Sequence, residues 1–259
     1  MSFPIYIKNQ IRFCLTNCIV FTLPLILFFL TASFPASAQQ RPVPGGGHRA
    51  VVVDERLSVL RDGPGLTARL LKRLGRGRKV SILNTKRSIE GITFYRVAVT
   101  RRTRGWIQRE ALVSPSRRGD DERLLKLIRV SNNFDRIARA SLFLDMFPKS
   151  TFRPVVLLLL GAAAEDAGIR LSIDAVKRLD EGEMMASGAA AFSYFMNFNG
   201  LDRYRRLGID FVFDAATKQY HYAGASWREI VRRYPRSVEA AEARRRLESI
   251  ALESSRSHY

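Results

Sequence analysis

Apolar and other residues alternate from Val51 to Val59, and the alternation stops at Asp62-Gly63-Pro64-Gly65. It resumes at Lys79-Val80-Ser81-Ile82-Leu83 and again at Phe94-Tyr95-Arg96-Val97-Ala98-Val99. A period of two predicts half-buried strands, and the glycine and proline clusters between them predict the turns. Gly75 and Gly77 mark one bend, Arg101-Arg102-Thr103-Arg104-Gly105 makes the last, and Trp106-Ile107-Gln108 returns from it. Residues 49–116 therefore read as a small all-β barrel. Phe94 and Tyr95 are neighbours, so only one of the two is expected to face inward.

The period changes after Ser114-Pro115-Ser116, and residues 119–255 read as mainly helical. Gly119-Asp120-Asp121-Glu122 supplies acidic starters for a helix whose apolar face includes Leu124, Leu125, Leu127 and Ile128. A second helix is predicted over 134–147, ending at Pro148, and a third over 152–167. The pattern continues over 173–180 and 184–198. The run Leu157-Leu158-Leu159-Leu160 is too short for a membrane span and predicts a helix buried by its neighbours. Ile209-Asp210-Phe211-Val212-Phe213 and Gln219-Tyr220-His221-Tyr222 predict an inserted β-hairpin. Its aromatics, with Trp227, are expected to form core in preference to a ligand site.

Ahead of both regions, residues 1–38 have Lys8 and Arg12, an apolar stretch from Leu15 to Leu30, and Ala36-Ser37-Ala38 before Gln39. That is the arrangement of a cleavable secretory signal, with an uncleaved anchor as the alternative. Cleavage predicts an exported chain, periplasmic or extracellular, with no stable membrane span left. Residues 39–48 form a Pro- and Gly-rich linker. Cys14 and Cys18 both fall in the leader, so the mature chain would lack disulfides, cysteine metal sites and a cysteine nucleophile.

The net charge of +19 is unevenly placed. Residues 49–118 hold 18 Lys and Arg against 5 Asp and Glu, whereas 119–259 hold 22 against 19. A field concentrated on one small region steers polyanions towards it. Arg101, Arg102 and Arg104 share one turn, and Arg69, Lys72, Arg73, Arg76, Arg78 and Lys79 crowd another bend. Nucleic acid is the usual partner for such a patch, but export makes it unlikely.

Catalytic motifs are absent. His48, His221 and His258 have no second ligand at metal spacing, and no nucleophile elbow, zincin motif, phosphate loop or dinucleotide fingerprint occurs. No metal and no cofactor is expected. Glu165-Asp166 and Asp180-Glu181 with Glu183 are read as solvated helix caps.

In order along the chain, Leu57-Ser58-Val59, Gly63-Pro64-Gly65, Gly77-Arg78-Lys79-Val80, Tyr95-Arg96-Val97, Gly105-Trp106-Ile107 and Leu112-Val113 resemble the bacterial SH3 domain of exported proteins. The first strand departs from that pattern at Ser58 and Leu60, and Asp62 lengthens the first turn. Phe147-Pro148-Lys149-Ser150 and Tyr234-Pro235-Arg236-Ser237 each resemble a helix junction of tetratricopeptide-like repeats, with each serine expected to cap the next helix. Their separation is not a multiple of the roughly 34-residue period, so a degenerate array is expected. The fold class implied is α+β multidomain: an SH3-like barrel, then a tetratricopeptide-like helical domain with an inserted hairpin. The resemblance implies a non-enzymatic envelope binding or scaffolding protein. The uneven charge makes the expected partner cell wall, another anionic envelope polymer or an envelope protein, met by Tyr95, Arg101, Arg102, Arg104 and Trp106, while the family's pattern implies Trp106 in the core with one edge reaching the groove. The alternatives are an accessory or regulatory subunit of a cell-wall hydrolase, and a hydrolase with an unrecognised helical catalytic domain.

Overall fold

The alternating segments form seven antiparallel strands: β1 (His48–Val52), β2 (Val59–Arg61), β3 (Leu70–Arg73), β4 (Lys79–Arg87), β5 (Thr93–Ala98), β6 (Arg104–Gln108) and β7 (Leu112–Val113). The computed structural model describes residues 47–256. The leader with its cleavage site, Cys14 and Cys18, nearly all of the linker, and His258 lie outside the described residues. The strands pair in the order β3-β2-β6-β5-β4-β1-β7, and β3 and β7 are not paired with each other. The expected barrel is thus an open sheet. Leu60, Val80, Tyr95, Val97, Ile107 and Leu112 fill its inner face.

The basic bend expected over 69–79 is corrected in part, because Leu70–Arg73 is an edge strand. Leu70 and Leu71 are both exposed there, so neither gave an inward signal that would mark a strand. Only one edge of β3 is paired, and Lys72 and Arg73 give it a charged border of the kind that deters further strand addition.

Strand β1 serves two cores. Ala50 and Val52 pack with the sheet interior, whereas Val51 and Val53, with Val113 of β7, pack with the helices. The alternation of side chains across a strand produces this division. Sheet and helices accordingly lie within one compact unit.

The helices are α1 (Asp120–Val130), α2 (Asn133–Met146), α3 (Arg153–Arg178), α4 (Glu181–Ser187), α5 (Ala191–Met196), α6 (Asp202–Arg205), α7 (Ala225–Arg233) and α8 (Glu239–Arg256). The hairpin of β8 (Phe211–Asp214) and β9 (Gln219–Tyr222) lies between α6 and α7. Its aromatics are core: Phe195 stacks on Phe213 at 4.4 Å, and Tyr222 meets Trp227 edge-on at 5.3 Å. Helix α3 runs well past the expected end at Ala167. The helix continues through Gly168, where a Cβ would lie 2.5 Å from the Tyr220 carbonyl oxygen. The bare backbone lets β9 dock, and the Tyr220 N–H donates to Ser172 Oγ at 2.7 Å.

Two capping expectations change. Ser150 Oγ accepts weakly from Phe152 N–H, at 3.3 Å, and donates to Asp121, while Ser237 Oγ is buried with no hydrogen-bond partner. Glu165-Asp166 lies inside α3 and not at a helix end, with Glu165 paired to Arg246 of α8. Asp180 does cap α4, accepting the Glu183 N–H at 2.8 Å.

Candidate binding face

Strand β6 decides which side chains the sheet presents. Gly105 and Ile107 are buried, so Arg104 and Trp106 take the opposite face. The expectation of a core Trp106 is corrected: Ile107 occupies the inward position, and Trp106 is only partly buried. Tyr95 faces inward with Val97 and Ile107, and the Arg117 guanidinium lies 5.3 Å from its ring centroid. Phe94 alternates with it yet is also fully buried. Alternation sets the face a residue takes, not how deeply that face is covered. Tyr95 therefore leaves the candidate site.

The register places a row across five strands. Leu70 pairs with Arg61, Arg61 with Trp106, Trp106 with Arg96, and Arg96 with Asn84. Directly paired residues share a face, so an exposed leucine, two guanidiniums, one indole and an amide lie side by side. Neighbouring strands are about 4.8 Å apart, which puts the two arginine backbones about 10 Å apart across the tryptophan. In the adjacent rows Arg104 faces Ala98, and Gln108 faces Phe94 and then Lys86. None of these three rows contains a carboxylate.

The arginines are available. Arg96, Arg101, Arg102 and Arg104 are exposed and have no ion pair or hydrogen bond among the described residues. Arg61 uses one nitrogen on the Ala68 carbonyl, at 2.6 Å. Arg101 and Arg102 extend the field along the turn between β5 and β6. The structure thus brings Arg104 and Trp106 onto one face, keeps Arg101 and Arg102 beside it, and adds Arg61 and Arg96. Arg96 was legible in Tyr95-Arg96-Val97, where a cation separates two inward residues. Arg61 was not, because its place beside Trp106 depends on the pairing of β2 with β6, which are distant in the chain.

A second cleft, of about 660 Å³, lies between the sheet loops and the start of α2. Its charges are already matched. Arg56 holds Asp54 through Nε at 2.9 Å and Nη2 at 2.6 Å, and Arg76 holds Asp135 at 2.7 and 3.1 Å. Buried Arg139 donates to the Val53 carbonyl at 3.2 Å and to Ser131 Oγ. The Arg56 hydrogen bond holds the Asp54 carboxyl below its ordinary value of 3.8, and Arg76 does the same for Asp135, in both cases against the opposing effect of burial. Burial, with Arg76 nearby, lowers the Arg139 guanidinium. This is a structural seam more than a receptor for ions.

The seam sets an acid limit. Depressed carboxyl values stabilise the fold above about pH 3.8, and that contribution is lost as pH falls through the lower folded-state values. Unfolding free energy should therefore drop below pH 3.8, and the drop should shrink in Asp54→Asn and Asp135→Asn. An unchanged slope in both variants would show that other carboxylates set the limit. Chemical denaturation at a series of pH values measures it.

Among the described residues no helix is long and apolar enough to cross a membrane, and no group of three or more His, Cys, Asp or Glu could hold a metal ion. Comparison with known proteins adds no relative: no protein-family model, no curated protein and no solved structure matches this chain.

Proposed function

We propose that the chain is a non-enzymatic, exported binding protein whose sheet, an SH3-like module in this reading, binds an anionic polymer of the cell envelope. The observation that carries the proposal is the row Arg61, Trp106 and Arg96, two cations flanking a partly exposed aromatic with no carboxylate in the row. An indole beside guanidiniums suits a polymer with both apolar ring faces and regularly placed anions. The helical region, a degenerate tetratricopeptide-like array in this reading, would recruit a protein partner. The leader supports an envelope location, which makes nucleic acid an unlikely ligand.

The test is retention on purified peptidoglycan and on an anionic polysaccharide across a salt series. Changing Arg101, Arg102 and Arg104 to serine should leave stability within about ±0.5 kcal/mol, because all three are exposed and unpaired. Each exposed ion contact is worth about 0.2–1 kcal/mol, so binding should weaken by about 0.6–3 kcal/mol at low salt. The salt dependence should also flatten, because fewer charges are neutralised. Trp106→Ala should weaken binding at all salt concentrations. Equal retention of both variants and the parent at low salt would refute the assignment.

A further inference from the structure

Helix α3 is apolar on nearly all sides. Its inner side, with Ala164, Ala167, Leu171 and Ala175, is buried in the core. Early in the helix the outer side is covered too: Val155 and Leu158 pack against the same core, and Glu165 pairs with Arg246 of α8 at 2.7 Å. Beyond Glu165 the cover stops. Ile169, Ile173 and Val176 are 59%, 66% and 50% exposed, and spacings of four and three residues stack them in one stripe. A single exposed isoleucine is ordinary, but a helix apolar all round is normally buried, and a contiguous apolar patch marks an interaction site.

The charges beside the stripe decide what covers it. Asp166, Arg170 and Lys177 stand along one flank, all exposed and with no hydrogen bond or ion pair among the described residues. Arg170 is the furthest round from the stripe. Asp174 is already paired with Arg178 at 2.8 Å, as Glu165 is with Arg246. The flank thus carries an acid at one end of the stripe and a base at the other, which is self-complementary for two antiparallel copies. A two-fold axis level with the midpoint between Leu171 and Ser172 sets Asp166 beside the partner's Lys177, and Lys177 beside the partner's Asp166. In the same register the partner's Val176, Ile173 and Ile169 alternate along the seam with Ile169, Ile173 and Val176, each stripe filling the gaps of the other. Parallel copies would set each charge level with its own like.

We propose that a second copy of this chain covers the stripe, through an antiparallel two-fold pairing of the exposed half of α3. The contact is narrow, so it belongs to the weak, reversible class that buries less than about 1,200 Å² in all. It uses no residue of the sheet face and does not depend on what that face binds.

The test is sedimentation velocity on the protein as isolated, from micromolar to near-millimolar concentration, with circular dichroism as the check on folding. The parent should pass from monomer to dimer. Ile173→Asp should stay monomeric throughout with its circular dichroism unchanged, because the side chain it replaces is mostly exposed. Ile169→Asp serves in its place should that variant misfold. Asp166→Lys and Lys177→Asp each set like charges together at both ends of the pairing, and each should raise the dissociation constant roughly tenfold. Combining the two restores opposite charges and should return the constant to near the parent's. A parent that stays monomeric would mean that a different partner, or none, covers the stripe, and would overturn the proposal. A dimer indifferent to Ile173→Asp would place the contact elsewhere, and a double variant no tighter than the single ones would refute the antiparallel register.

Discussion

Trp227→Ala should destabilise the fold by about 3–5 kcal/mol, the usual cost of removing a buried tryptophan. The side chain is 1% exposed and packs edge-on against Tyr222. It also lies directly over Gly161 of α3, where any Cβ would overlap the indole ring and approach Ser226 Oγ within 2.8 Å. Gly161→Ala should therefore cost about 1–3 kcal/mol by overpacking, although alanine is the better helix former. The two changes share one contact, so they should not add. With the indole gone, Gly161→Ala should cost little or become favourable, giving a coupling energy of at least about 1 kcal/mol. Urea denaturation followed by far-ultraviolet circular dichroism on the four proteins measures the cycle. Strict additivity would mean that the helices move apart instead of pressing α7 on α3.

Asp120→Ala should cost about 2–4 kcal/mol, because a buried carboxylate joins the sheet to the first helix and its loss strands its partners. Asp120 is 2% exposed and accepts the Ser114 N–H, just beyond β7, at 2.8 Å. Arg123 Nε lies at 3.4 Å and Arg117 Nη1 at 3.7 Å. Arg123 also donates to the Glu110 carbonyl at 3.0 Å and to that of Leu112. The carboxylate sits in the first turn of α1, where negative charge is favourable. Asp120→Asn keeps an acceptor but not the charge and should cost roughly half as much. Hydrogen exchange should show protection falling first at β7 and the start of α1. A loss below about 1 kcal/mol, or equal damage from Asn and Ala, would show that the arginines are satisfied elsewhere.

Much of the sheet and the early helices was legible, because alternation and helical period are local signals. The start of α1 at Asp120, the span of α2 and the hairpin of β8 and β9 follow the sequence within a residue or two. What was illegible depended on partners distant in the chain. The third helix was expected to end at Ala167, yet Gly168 just beyond it is where β9 crosses α3. Gly188 divides the expected helix over 184–198 into α4 and α5 through a left-handed turn, with φ 72°. At the binding face, Arg104 and Trp106 could be chosen from charge and aromaticity. The inward orientation of Tyr95 and the neighbourhood of Arg61 required the register across β2, β5 and β6. The double duty of β1 was hidden for the same reason: Val51, Val52 and Val53 are one residue type distributed between two cores.

The two tryptophans of the chain lie in different environments, Trp227 sealed within the helices and Trp106 only partly buried on the sheet face among arginines. Their emission should be separable. Trp227 should fluoresce at short wavelength and resist iodide, whereas Trp106 should emit further to the red and be quenched readily, the more so because cations around it concentrate the anionic quencher. A polymer lying on the sheet face would shield the second signal and leave the first untouched, while loss of helical packing would shift the first. Occupancy of the face and integrity of the core can thus be read from one unlabelled sample, at two wavelengths.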